Sequence, residues 1–293
     1  MRFGDEREST NFEDVTGRSG GLGGGGFGGG GLGCLLPLVA SRFGIGGVIV
    51  LVIGYFLLSS LGGLGSGGGG GQMPATQQSV PAGQSRLDPT TKHFMLQVLA
   101  STEDVWTKLL GRYPPTQLVA YSESYQSGCG AAQSAMGPFY CPTDKKIYLD
   151  TEFFDELSRR FQAPGDFAQA YVIAHEVGHH VQDLTGSLGQ AEQLQARASE
   201  TEGNAIQVKI ELQADCYAGV WAANAKAPDG QPVMQQGDFE EGMRAAEAIG
   251  DDTLQRETQG RVVPDSFTHG TSAQRMNALR TGFQSGHPNA CKF

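Results

Sequence analysis

The sequence predicts an α+β fold, mainly helical with a small antiparallel sheet and preceded by a single transmembrane helix. Three observations lead there. Apolar residues recur at helical spacing through most of the C-terminal two-thirds. They alternate at strand spacing within 117–150. An uncharged apolar run occupies 43–61.

From the N-terminus, residues 1–18 are polar and charged, and 19–33 are nearly all Gly with Leu and Phe interspersed. Such a stretch has too little apolar surface to build a core. The run FGIGGVIVLVIGYFLLSSL at 43–61 carries no charge. At about 1.5 Å per residue it is long enough for a hydrocarbon layer of roughly 30 Å. Its Gly-rich flanks leave nothing adjacent to cover it as a core helix. Arg18 and Arg42 precede it, and no Lys or Arg follows until Arg86. The positive-inside rule then puts the N-terminus in the cytoplasm and the C-terminal part outside, in a single-pass arrangement at the cytoplasmic membrane. Residues 62–85 are uncharged Gly, Ser, Gln, Pro and Ala, the composition of a flexible tether. The expected organisation is a cytoplasmic low-complexity segment at 1–42, a span at 43–61, a linker at 62–85 and one folded domain at 86–293.

Within that domain, Phe94, Val98, Leu99, Val105, Trp106 and Leu109 give 88–112 a helical apolar spacing. Segments such as QLVAYSE and KKIYLD alternate as strands do, with Gly and Pro between them. Further helices are expected at 151–162, 165–184, 188–226, 237–257 and 271–284.

The net charge of −10 comes without any Lys/Arg-rich run, so no nucleic-acid partner is expected. Of five cysteines, Cys34 lies in the Gly-rich part and the other four in the folded part. Outside the cytoplasm those four can form two disulfides. Cys129–Cys141 is favoured because it closes a short loop, which leaves Cys216–Cys291; the alternative is four buried thiols. No CxxC spacing suggests a cysteine metal site.

The chemistry concentrates in YVIAHEVGHHVQDL, which contains His175-Glu176-Val177-Gly178-His179 on an expected helix. Positions i and i+4 lie one turn apart and about 40° around the axis, so both imidazoles reach one metal ion. Glu176 stands about 100° from His175 and can attend a water without ligating the metal. An open catalytic zinc takes three protein ligands. The longer pattern with Gly at 182 and a ligand at 185 fails, because Gln182 and Thr185 stand there. In VKIELQADCYAGVWA, Glu211 and Asp215 share a helix face; Glu211 serves as the third ligand and Asp215 takes the N–H of a ligating histidine, His175. Glu200, Glu202 and His269 compete for the third place. His180 is off the metal face and reads as structural, held by Asp183. His269 is either a donor to the oxyanion of a tetrahedral intermediate or a local residue before a helix capped by Thr271 or Ser272. Arg275 is similarly open. Gly137-Pro138-Phe139-Tyr140 is either an edge strand for an extended peptide or ordinary hairpin. His93 and His287 have no evident partners.

HEVGHH followed by ELQADCYAGVWA resembles the gluzincin pattern, HExxH then ExxxD. The chain is more closely similar to the neutral zinc metallopeptidase family of YpfJ-type proteins, with GPFYCPTDKKIYLDTEFF at 137–154 and FTHGTSAQR at 267–275 as further matching segments. The resemblance covers roughly 86–293 and the Gly-rich single-span N-terminus. It implies a zincin-like metalloprotease fold with a helical core, holding one zinc ion. The expected function is therefore a membrane-anchored zinc metallopeptidase acting on proteins or peptides, with Glu176 as general base. The alternative is a membrane-tethered zinc-binding assembly or chaperone-like factor with little proteolysis.

Overall fold

The computed structural model describes residues 1–17, 85–159 and 165–293. The expected span at 43–61, and the Gly-rich and tether segments around it, lie outside the described residues. Among the described residues no helix is long and apolar enough to cross a membrane.

Among the described residues the chain is mainly helical with two small sheets. Helix α1 (Pro89–Leu110) starts where Asp88 accepts the amides of Thr90 and Thr91 and Pro89 presets the first turn, and ends at Gly111 with φ 73°. Strands β2 (Gln117–Tyr121), β3 (Ser124–Ser127), β4 (Gly130–Gln133), β5 (Phe139–Cys141) and β6 (Lys146–Asp150) follow, then helix α2 (Phe153–Arg159). Helices α3 (Asp166–Thr185), α4 (Ser187–Gln195), α5 (Glu200–Asn224), α6 (Asp238–Ala248), α7 (Asp251–Gln259) and α8 (Ser272–Ser285) complete the domain.

Two of the expected helices are each divided. The segment 188–226 breaks because Ser199 and Glu202 form a capping box that starts α5. The segment 237–257 breaks at Gly250, where a side chain would overlap the Ser272 backbone. The apolar periodicity runs through both breaks, which is why it concealed them.

The sheet also differs from the expected antiparallel one. Its order is β1-β2-β6-β5, where β1 is Phe12–Asp14. The β2–β6 pairing is parallel and only β5–β6 is antiparallel, while β3 and β4 form a separate antiparallel hairpin. Side-chain alternation identifies strands but not their direction.

A further correction concerns the N-terminus. Strand β1 (Phe12–Asp14) pairs in parallel with β2, setting Phe12 beside Leu118 and Asp14 beside Ala120. Phe3 and Val15 are buried. Residues 1–17 therefore belong to the folded unit that the sequence reading begins at residue 86. His93, without evident partner in the sequence, pairs with Glu8 of this segment.

The core lies between the sheet and the helices. Helix α3 is its centre, with Phe167, Tyr171, Ile173 and Val177 fully buried, and Phe167 stacks on Trp221 of α5. Small residues bring three helices close. A Cβ on Gly178 would stand 3.0 Å from the Ala214 carbonyl oxygen, so α3 and α5 approach at their site-bearing turns. Added side chains at Gly219 or Gly282 would overlap backbone atoms across the α5–α8 contact. Both disulfides form in the favoured pairing, Cys129–Cys141 and Cys216–Cys291.

Candidate metal centre

The close approach at Gly178 sets His175 and His179 of α3 against Glu211 of α5. His175 Nε2 lies 3.1 Å from Glu211 Oε2, His179 Nε2 lies 3.2 Å from His175 Nε2, and His179 Nε2 lies 3.5 Å from Glu211 Oε2. A tetrahedral zinc with bonds of about 2.05 Å separates neighbouring ligand atoms by about 3.3 Å. The triangle matches that edge, so these three residues fit the ion. Glu200 and Glu202, the rival third ligands, lie at the exposed start of α5, with Glu202 committed to the Ser199 cap.

Each ligand is oriented by a further group. His175 Nδ1 donates to Asp215 Oδ1 at 2.8 Å, as the spacing of α5 suggested. His179 Nδ1 donates to Gln182 Oε1 at 2.8 Å, and the Gln182 amide donates to the Ile210 carbonyl and the Gln213 side chain. Gln207 donates to Glu211 Oε1 at 2.8 Å, leaving Oε2 toward the histidines. These contacts set the tautomers and ring planes that ligation needs. Gln182 and Gln207 were not recognised from sequence. Their signals were present as i,i+3 from His179 and i,i+4 before Glu211, but glutamine at those spacings is common on any helix.

Asp215 is fully buried and anchors more than His175. Arg275 of α8 meets it with Nε at 2.9 Å and a second nitrogen at 2.9 Å, and the Tyr171 hydroxyl also donates to it. Burial favours protonation of Asp215, yet Arg275 and His175 outweigh it and hold the carboxyl down at about 2. Arg275 is thus part of the support beneath the site.

Electrostatics follow the same geometry. Burial pulls the His175 pKa down, but Asp215 and Glu211 outweigh it and hold the imidazole at about 10 in the metal-free chain. Glu211 is well below the usual carboxylate range: burial acts to raise it, and the two histidines override that. Glu176 is buried beside them and is raised by burial, with the Tyr140 backbone amide and the histidines acting against the shift. A raised carboxyl suits a group that first accepts and then returns a proton.

His269 stands near the ligands, close enough that its charge acts on Glu211. Its Nδ1 pairs with Asp251 Oδ1 at 3.1 Å, and Asp251 Oδ2 accepts the amides of Thr268, His269 and Gly270. Burial lowers its pKa, but Asp251 outweighs this and the net shift is upward. Thr271 does cap α8, as the local reading of the segment has it. His180 is turned away, with Nε2 2.7 Å from the Pro114 carbonyl oxygen; the Tyr140 hydroxyl sits between its Nδ1 and Asp183. Among the described residues strand β5 is an edge of the sheet, and the Tyr140 amide reaches Glu176, so this edge borders the site.

A helix bearing HExxH and a second helix supplying a carboxylate bring together a His-His-Glu group that could hold a metal ion, with a buried acid beside it. The chain belongs to the family described as "Putative neutral zinc metallopeptidase", whose model matches residues 1–293. It is 46% identical over 301 aligned residues to the uncharacterized protein YpfJ of Escherichia coli (strain K12), covering 99% of this chain and 98% of that protein. It is 44% identical over 199 residues to the uncharacterized protein Rv2575 of Mycobacterium tuberculosis (strain ATCC 25618 / H37Rv), covering 65% of this chain and 66% of that one. No solved structure matches it.

Proposed function

We propose that this chain is a zinc-dependent peptidase that hydrolyses peptide bonds at the His175–His179–Glu211 centre. The carrying observation is that triangle of ligand atoms, with a buried, proton-accepting Glu176 beside it. These residues would hold a zinc ion, which would supply Lewis-acid polarisation of the scissile carbonyl and lower the pKa of a water toward about 7. Glu176 takes the proton from the attacking water and delivers it to the leaving amine. His269, held by Asp251, donates to the oxygen on which charge develops. The edge of β5 pairs with the extended substrate, which places the scissile bond over Glu176. The apolar run at 43–61 supports attachment to a membrane.

Glu176→Gln is the test. It is expected to retain one zinc per chain while cleavage of an unfolded protein falls by about 10²–10⁴. Cleavage at the unsubstituted rate would remove Glu176 from this role. Full zinc occupancy with no cleavage by the unsubstituted chain would favour the assembly-factor reading.

A further inference from the structure

The most informative feature outside the site is the attachment of residues 1–17. They lie before the apolar run at 43–61, and the rest of the domain lies after it. Yet the two parts form one folded unit. The Leu118 amide donates to the Asn11 carbonyl and the Val15 amide to the Ala120 carbonyl, both at 2.9 Å, so the strand is sewn in at each end. Phe3 is buried and packs edge-on against Phe94 of α1. The Arg2 amide donates to the Val233 carbonyl at 2.8 Å, and Ser9 donates to Leu96 at 3.1 Å. The Arg7 guanidinium reaches the buried Glu103 at 2.9 Å, and the Ser9 and Asn11 side chains donate to the same carboxylate.

The two ends that flank the intervening segment also meet. The Arg86 amide donates to Thr16 Oγ1 at 2.8 Å, and Ser85 Oγ donates to Asp14 Oδ2 at 2.6 Å. The chain therefore leaves the domain and returns to it at one point. Backbone groups hydrogen-bonded at 2.9 Å cannot stand on opposite sides of a hydrocarbon layer roughly 30 Å thick.

We infer that residues 1–17 and the metal-site domain occupy the same compartment, as one folded unit closed by β1. Placement of residues 1–17 and the domain on opposite sides of a membrane is incompatible with that unit. The arrangement expected from the arginine distribution, N-terminus inside and domain outside, gives way to one in which both share a face. The two disulfides favour the oxidising face for the domain, and β1 goes with it. The inference does not depend on the peptidase reading, since it uses no residue of the metal centre.

The test uses the full chain in a Cys34→Ser background, which removes the only thiol outside the two disulfides. Arg2→Cys and Asp229→Cys are introduced singly and together. Their side chains form an exposed ion pair at 2.9 Å, whose loss costs little stability. In sealed membrane vesicles of defined orientation, a membrane-impermeant maleimide is expected to label both single variants from the same face. In the double variant a short bis-maleimide is expected to join the two sites. A cross-link within one chain or between two exchanged chains supports a shared compartment equally, as does a cross-link in chain that partitions into the soluble fraction. Labelling from opposite faces overturns the inference. So does failure to cross-link in a double variant whose melting transition and zinc content match the unsubstituted chain.

Discussion

Among the described residues, two clusters bring three potential ligand atoms within 4.8 Å of one another: His175, His179 and Glu211, and Asp166, Asp238 and Glu241. They differ in what surrounds them. In the first, each ligand is turned by a separate buried partner, Asp215, Gln182 or Gln207. In the second, Asp166 and Glu241 are only half-buried, and the Met1 ammonium pairs with Asp166 and Asp238. Its carboxylates are otherwise engaged by backbone amides, Glu241 by that of Phe167 and Asp238 by that of Gln235. Convergence alone is cheap at an acidic surface. Imidazoles with fixed tautomers and a dry outer layer are what distinguish a site for a transition metal from a patch of charge.

That contrast can be broken most directly by removing a ligand from each cluster. Glu211→Ala is expected to take zinc content from one per chain to none and abolish cleavage, whereas Asp166→Asn leaves zinc content unchanged; metal analysis of the purified proteins decides. A smaller effect is expected at His269. His269→Ala should keep zinc and lower kcat by about 10²–10³ with little change in KM. If steady-state kinetics show kcat unchanged, the residue serves only its loop. Smaller again, Gln182→Ala and Gln207→Ala should each weaken zinc about 10–100-fold in a chelator competition, because the ligands remain but lose their orientation.

Acid sharpens the comparison further. In the metal-free chain His175 is held up to about 10, so near neutrality it carries a proton that zinc must displace. Zinc addition in weak buffer at pH 7–8 should release protons, and affinity should fall about tenfold per unit as pH drops, for this one proton. The sign reverses for stability without metal. The raised His175 stabilises the folded state fully below its unfolded value of about 6.5, and that contribution is lost as pH climbs toward 10. A metal-free melting temperature that rose across that window would contradict the placement of Asp215 and Glu211 around His175.

A packing prediction has the smallest expected effect on chemistry. Alanine normally stabilises a helix over glycine by about 1 kcal/mol. At Gly282 the new methyl would overlap the Cys216 carbonyl, so overpacking should win and Gly282→Ala should destabilise by about 1–3 kcal/mol in a denaturant titration.

Much of the site was legible in the sequence because helical spacing is local: once α3 and α5 are helices, His175, Glu176, His179, Glu211 and Asp215 fall on defined faces. What could not be read was how faces meet. The Gly178–Ala214 contact, the bidentate grip of Arg275 on Asp215 and the parallel β2–β6 register are all long-range, and none leaves a periodic trace. The N-terminal strand was obscured differently. Residues 12–14 read Phe-Glu-Asp, a short edge with two acids, and nothing in that composition announces a sheet partner more than a hundred positions away.

That strand also sets an order of events during synthesis. Phe12 leaves the ribosome long before Leu118, the residue it will lie beside. Strand β1 must therefore wait, unpaired, while the apolar stretch and α1 emerge behind it. At typical elongation rates of about 5–20 residues per second that interval lasts about 5–20 s. Whatever receives the nascent chain in that time must keep β1 within reach of a sheet that does not yet exist.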